Sequence, residues 1–268
     1  MAITLSRDGD VAVLTIDNPG HRNALDDEHT LQMLDHLDAL EQDPSAGAIV
    51  LTGTGRHFTP GGRLDMLEEL AGQARDPERS RALEQRMRTN ARVVEALSGS
   101  RLPSVAAING TCVGAGLGWA AACDLRIAAA GATFDSAFLK LGLGTDFGTA
   151  WLLGSVLGRA AAADWLLRPR RRNADEALAQ GFVSEVVEDS ALPTTARDTA
   201  AALAGTPSAV AAIRAGLREA TTRPLGDHLD DEAARFVASL ATREAGGRIE
   251  AANAALRARA TPQEGLLR

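Results

Sequence analysis

Lysine occurs once in this chain, at Lys140, and cysteine twice, at Cys112 and Cys123. The two cysteines have no metal-ligand or paired spacing and sit in apolar company. That excludes a zinc site and a disulfide framework and leaves buried, reduced thiols. The scarcity of lysine beside abundant arginine reflects the composition of the coding genome and says nothing about chemistry. An excess of positive charge is also missing: 28 Lys and Arg stand against 35 Asp and Glu, for a net charge of -7. A nucleic-acid surface is therefore excluded, because counterion release needs a basic face, whereas the phosphates of a small ligand need only a few local arginines. No apolar run approaches the roughly eighteen residues of a membrane span. The N-terminal stretch MAITLSRDGDV carries aspartates where a signal peptide would be apolar. The expectation is a cytoplasmic protein that binds neither membrane nor metal. What the chain does have is bulk: 268 residues, 45% of them hydrophobic, enough for one large core or for one core and a helical appendage.

The stretch Leu102 to Ala130, LPSVAAINGTCVGAGLGWAAACDLRIAAA, organises the rest. Ser104 to Ile108 is an apolar run of strand length, Asn109-Gly110 is a turn signal, and Gly114-Ala115-Gly116-Leu117-Gly118 opens a small-residue helix reaching Cys123. A helix that starts this way leaves N–H groups without intrahelical partners beside the positive end of its dipole, where an anion or a developing oxyanion can be held. The dinucleotide-binding fingerprint fits poorly, since the third glycine arrives one residue early and no acidic residue closes a following strand. Tight packing of helix on strand, with the glycines serving only close approach, remains open at this point. A second cluster has the same form. Ala48 to Thr52 reads as a buried strand and runs into Gly53-Thr54-Gly55-Arg56-His57-Phe58-Thr59-Pro60-Gly61-Gly62-Arg63-Leu64.

Together, AIVLTGTGRHFTPGGRLDML and LPSVAAINGTCVGAGLGWAAACDLRIAA resemble the two signature segments of the crotonase (enoyl-CoA hydratase/isomerase) superfamily. The resemblance extends over the whole chain. It includes Asn18-Pro19 through Asn23-Ala24-Leu25, the segment Gly142 to Gly148, and NADEALAQGFVSEVV over Asn173 to Val187, in the family's order. It implies an α/β fold, the ClpP-like spiral of ββα units with a C-terminal helical region. It also implies an acyl-CoA substrate with no permanently bound cofactor, coenzyme A being part of the thioester, and homotrimers or dimers of trimers.

Periodicity fills in the elements. Ile3 to Arg7 and Val11 to Ile16 read as a hairpin. Asp26 to Glu41 reads as an amphipathic helix with Leu31, Leu34, Leu37 and Leu40 on one face and Asp26 or Asp27 as N-cap. Leu64 to Leu70 is a short helix, Gly72 to Pro77 a mobile polar loop, and Pro77 to Leu97 one long charged helix. Thr149 to Leu157 and Ala160 to Leu167 are helical. Arg168 to Arg172 reads as a solvated basic turn before an Asn173 to Glu176 capping box, and Val183 to Val187 is the last strand. From Leu192 onward the pattern is all helix, which places a boundary near residue 190 between a core over 1–190 and a helical region over 191–268. Ile249 and Leu256 there could face a neighbouring subunit or the chain's own core.

The resemblance also assigns a site. It places oxyanion-hole donors at the Gly62 and Ala115 N–H groups and implies substrate contacts at Arg22, Ala24, His57, Gly61, Leu64, Gly114, Gly118 and Phe138. The two glutamates with which hydratases of this family work correspond here to Gly118 and Phe138, neither of which can move a proton. Asp146, in Leu141-Gly142-Leu143-Gly144-Thr145-Asp146-Phe147-Gly148, corresponds to the single aspartate of isomerase-type members and is the expected proton shuttle. A side chain capping the following helix is the bland alternative for Asp146. The same segment resembles that of 4-chlorobenzoyl-CoA dehalogenases, but their activating His falls at Ala91 here. Asp135, His57 and Lys140 are minor candidates.

Overall fold

The computed structural model describes residues 2–220 and 222–260. The chain opens with β1 (Ala2–Asp8) and β2 (Val11–Asp17), antiparallel and closed by Asp8 opposite Val11, followed by α1 (Asp27–Gln42). Next come β3 (Ala48–Gly53), β4 (His57–Thr59), α2 (Leu64–Ala74), α3 (Pro77–Asn90) and α4 (Arg92–Gly99). The second turn of the spiral is β5 (Ser104–Ile108), β6 (Thr111–Val113) and α5 (Ala115–Ala122). The third is β7 (Leu125–Ala129), β8 (Thr133–Asp135), a 3-10 turn at Phe138–Leu141, α6 (Thr149–Leu157) and α7 (Arg159–Leu167). It closes with β9 (Arg172–Asn173), α8 (Ala174–Ala179), β10 (Glu185–Val187) and α9 (Leu192–Ala204).

From β3 to β8, successive strands alternate between two sheets. One has the order β1-β2-β3-β5-β7-β10 and the other β4-β6-β8-β9. Each β3-β4, β5-β6 and β7-β8 pair thus steps from one sheet to the other before a helix returns the chain, the ββα spiral that the motifs imply. Strands β3, β5 and β7 pair in parallel and are almost wholly buried, which is why they read as continuous apolar runs. One face of the larger sheet packs on α1, α4 and α5 through Leu14, Met33, Leu51, Leu97 and Leu117. The other face meets α9 through Ala196, Ala200 and Ala204, at the four-residue spacing that puts small side chains on one stripe.

Several expectations change. In α1, Asp26 is the N-cap and accepts from the His29 N–H at 3.1 Å, but Leu31 is 51% exposed and Met33 takes the core position. Gly72 to Ala74 form the last turn of α2, so the expected mobile loop shrinks to Arg75 and Asp76, with Asp76 capping α3. The long charged helix breaks at Ala91 into α3 and α4. The basic turn is solvated only in part. Arg172 is fully buried, its Nη2 donating to Asp164 Oδ2 at 2.8 Å while its guanidinium lies 4.7 Å from the centroid of Trp165. The capping box at Asn173 and Glu176 is present.

By compactness the chain divides after Ala204 rather than near 190, because α9, though already part of the all-helical pattern, belongs to the sheet it covers. The second unit contains α10 (Pro207–Glu219), α11 (Leu225–Leu240) and α12 (Arg243–Ala260); residues 261–268 of the expected helical region lie outside the described residues. Leu217, Phe236, Ile249 and Leu256 are all exposed on it. Among the described residues no single helix is long and apolar enough to cross a membrane, and no group of three His, Cys, Asp or Glu side chains could hold a metal ion.

Candidate active site

The Asn18 to Leu25 turn sets one edge of the site. Arg22 and Asn23 adopt left-handed φ values of 55° and 66°, uncommon for residues with a Cβ. The buried Asn23 side chain holds them there. Its Oδ1 accepts from the Asn18 N–H at 3.1 Å and the Thr54 hydroxyl at 3.0 Å, and its Nδ2 donates to the carbonyls of Thr54 at 2.9 Å and His57 at 2.7 Å. Asn23→Ala removes four hydrogen bonds and is expected to cost about 3 kcal/mol, read by chemical denaturation. The network fixes Arg22 at the mouth of a cleft of about 650 Å³.

Two loops form the back of that cleft. Gly61 has φ +86°, and a Cβ there would lie 3.0 Å from the Val113 carbonyl oxygen and 3.1 Å from the Ala115 nitrogen, so only glycine lets the first loop lie against the second. The Gly61 carbonyl accepts from the Leu25 N–H at 2.8 Å, which ties the same loop to the Arg22 turn. Gly62 and Ala115 both line the cleft. Ala115 is the first residue of α5, so its N–H has no intrahelical acceptor, and neither it nor the Gly62 N–H has a hydrogen-bond partner among the described residues. Two residues with unsatisfied backbone donors thus line one cleft.

Asp146 lines the same cleft. Its backbone carbonyl accepts from both the N–H and the hydroxyl of Thr149, at 2.9 and 2.8 Å, but its side chain does not cap α6, whose N-cap is Gly148. Carboxylate oxygen Oδ1 is buried with no partner. Burial disfavours the charged form and pushes this carboxyl up to about 6, its own backbone N–H offsetting only part of the effect. Phe147, at φ 45°, anchors the turn by placing its ring edge-on against Trp119, with centroids 6.1 Å apart.

Gly118 stands behind this turn rather than in the cleft. A Cβ on it would lie 2.7 Å from Thr149 Oγ1 and 2.9 Å from the Phe147 carbonyl oxygen. The space that a glutamate would need is filled by the turn that carries Asp146. Gly118→Ala should therefore displace this turn, costing about 1–3 kcal/mol in thermal denaturation and lowering turnover with it.

Of the residues singled out in the sequence, Arg22, Ala24, Gly62, Leu64, Gly114, Ala115, Phe138 and Asp146 line one cleft, while His57, Gly61 and Gly118 support it from behind. His57 sits in β4 with its pKa lowered first by burial and then by the positive charge of Arg22. Asp135 and Lys140 form an ion pair with each other. Sequence reading missed Ser136, whose fully buried hydroxyl has no partner and which lines the same cleft. Nothing in its local pattern marks it, since strand and turn serines are ordinary.

The spiral topology, with two loops that carry unsatisfied backbone donors lining the same cleft as a carboxyl, is the arrangement in which an oxyanion could be held. The enoyl-CoA hydratase/isomerase family profile matches residues 6–251, and the chain belongs to that family. It is 35% identical over 222 residues to the Mycobacterium tuberculosis protein named probable enoyl-CoA hydratase EchA14, covering 83% of each chain. Identity is also 35% to the 1,2-epoxyphenylacetyl-CoA isomerase of Escherichia coli, over 83% of this chain and 84% of that one. It is 31% to a 4-chlorobenzoyl coenzyme A dehalogenase of an Arthrobacter species, over 89% and 85%. The crystal structure of an enoyl-CoA hydratase from Polaromonas sp. JS666 superposes with a TM-score of 0.85 at 31% identity, covering 98% of this chain and 99% of that one. Relatives of equal similarity thus differ in reaction, so the chemistry has to be argued from the site.

Proposed function

We propose that this enzyme isomerises the double bond of an enoyl-CoA thioester, with Asp146 as the only proton carrier. The observation that supports this reading is a carboxyl with one buried, unpartnered oxygen lining the same cleft as two residues with free backbone N–H groups. The thioester carbonyl oxygen accepts from Gly62 and Ala115. The Asp146 carboxylate takes a proton from an acyl carbon, the electron pair of that C–H bond moves into the conjugated system, and the negative charge settles on the oxygen held by the two donors. Return of the proton at the far end of the dienolate completes the shift with no net change in atoms and no water consumed. Arg22 at the mouth meets the phosphates or pantetheine of coenzyme A, and Phe138 and Leu64 contact the acyl portion.

Two-carboxylate hydration asks for two proton-carrying groups, and the two family positions for them are Gly118 and Phe138. Dehalogenation asks for an activating histidine where the chain has Ala91. The exposed apolar side chains of the second unit suit self-association into trimers, which light scattering on the purified protein would read.

The test is proton exchange in D₂O with a panel of 3-enoyl-, 2-enoyl- and saturated acyl-CoA thioesters. Double-bond migration with deuterium entering the acyl chain is the expected result. Thioester binding without exchange on any member would overturn the catalytic reading and leave an acyl-CoA-binding protein.

A further inference from the structure

A second, much smaller cavity of about 30 Å³ lies beyond the cleft, lined in part by Gly62, Leu67 and Asp146, which also line the cleft itself. Its apolar wall comes from α2 and α3, through Met66, Leu70 and Met87. Its polar wall is unlike that of a simple hydrocarbon pocket, because it holds Asp26, Asp27, Thr30 and Asn90.

Each of these four has its hydrogen-bonding role fixed by a neighbour. Asp26 accepts from His29 through both the backbone N–H, at 3.1 Å, and Nδ1, at 2.6 Å. Asp27 Oδ2 lies 2.6 Å from Arg86 Nε, and its Oδ1 accepts from Asn90 Nδ2 at 2.7 Å. The Thr30 hydroxyl spends its proton on the Asp26 carbonyl at 3.0 Å. Because a carboxylate can only accept, it orients the Asn90 amide with its NH₂ toward Asp27, which leaves Asn90 Oδ1 as the free end. Asn90 is only 8% exposed, and its Oδ1 receives no hydrogen bond from the described residues. The far wall therefore offers two acceptors, Asn90 Oδ1 and the Thr30 oxygen, beside the second N–H of the Asn90 amide, a set that suits a group able both to donate and to accept.

We propose that this inner cavity is a recognition subsite for a hydroxyl at the distal end of the acyl chain, which donates to Asn90 Oδ1 with Thr30 as the second acceptor. This rests on the thioester reading above, which places the acyl chain between Gly62 and Asp146. A methyl end would bury the Asn90 carbonyl without a partner, whereas a hydroxyl satisfies it. A site built to bond a hydroxyl rejects the analogue lacking it far more strongly than an apolar site rejects an added hydroxyl. The size of the cavity admits one such group and no longer extension.

The test is calorimetric binding of saturated thioesters, which need no chemistry: butanoyl-, pentanoyl- and hexanoyl-CoA, each beside its ω-hydroxy counterpart. At the length that reaches the cavity, the hydroxy form is expected to bind about tenfold tighter than the methyl form. Asn90→Leu is expected to reverse that preference and Thr30→Val to weaken it, with binding of the shortest methyl thioester unchanged in both. Tighter binding of the methyl form at every length by the wild type, a comparison that needs no variant, would overturn the proposal, as would an Asn90→Leu protein that keeps the preference. Binding of both series with no preference sinks the subsite alone, whereas binding of neither sinks the thioester reading with it.

Discussion

Asp146→Asn is expected to abolish proton exchange and double-bond migration and, in the same protein, to raise the melting temperature at neutral pH. The two effects have one cause. A carboxyl raised to about 6 by burial is a base poised near working pH, and its ionised form is less well accommodated by the fold than by the unfolded chain. The sign follows from the direction of the shift. A folded-state pKa above the unfolded value gives a stabilising contribution that is complete below about pH 4 and is lost as pH rises through about 6. The loss amounts to about 2–3 kcal/mol at pH 7.5. Asparagine has the same shape and never ionises, so the stability gap between variant and wild type should open between pH 4 and 6 and stay constant above. Wild-type kcat/KM should rise across the same window, because the base must be deprotonated to act. Denaturation and exchange rates measured over pH 4–8 check both. A variant that lost activity without gaining stability would mean that Asp146 is solvated rather than buried at the site.

Ala115→Pro should cut kcat by about 10²–10³-fold while leaving the fold intact. Ala115 is the first residue of α5, where proline's fixed φ suits the helix and its missing N–H breaks no intrahelical bond. What the substitution removes is one of the two donors in the cleft, and its ring also intrudes where the oxyanion would lie. Circular dichroism and melting temperature near those of the wild type, together with the drop in kcat, would assign the loss to the hole. If Ala115→Pro turned over substrate at an unchanged rate, Gly62 would have to act without its partner, and the paired-donor mechanism would fail.

The sequence by itself determined the strands and the places where glycine-rich loops run into helices. Buried parallel strands such as Ala48–Gly53 and Ser104–Ile108 show up as unbroken apolar runs because both of their faces are covered. The loops show up because backbone donation at a helix start demands small residues, and Gly61, Gly62 and Gly114 are visible as letters. The capping boxes and N-caps are short-range and equally legible, as Asn173 and Asp26 show. Even the missing glutamates could be read from Gly118 and Phe138.

Tertiary structure decided what depends on neighbours distant in the chain. Only packing shows that Gly118 has no room for a side chain, because its obstacles, Phe147 and Thr149, lie some thirty residues away and belong to another turn of the spiral. Only the folded surroundings show that Asp146 is a raised carboxyl with a buried, unpartnered Oδ1 rather than a helix cap, a choice that the sequence left open. Arg172 passed for a solvated charge because nothing local announces Asp164 and Trp165 around it. Nothing in the charged helix singles out Asn90; only the approach of α1 brings Asp27 to its amide beside the inner cavity. Patterns of period and composition record what one segment needs from its surroundings; which group supplies it, and at what distance, is settled only when the segments meet.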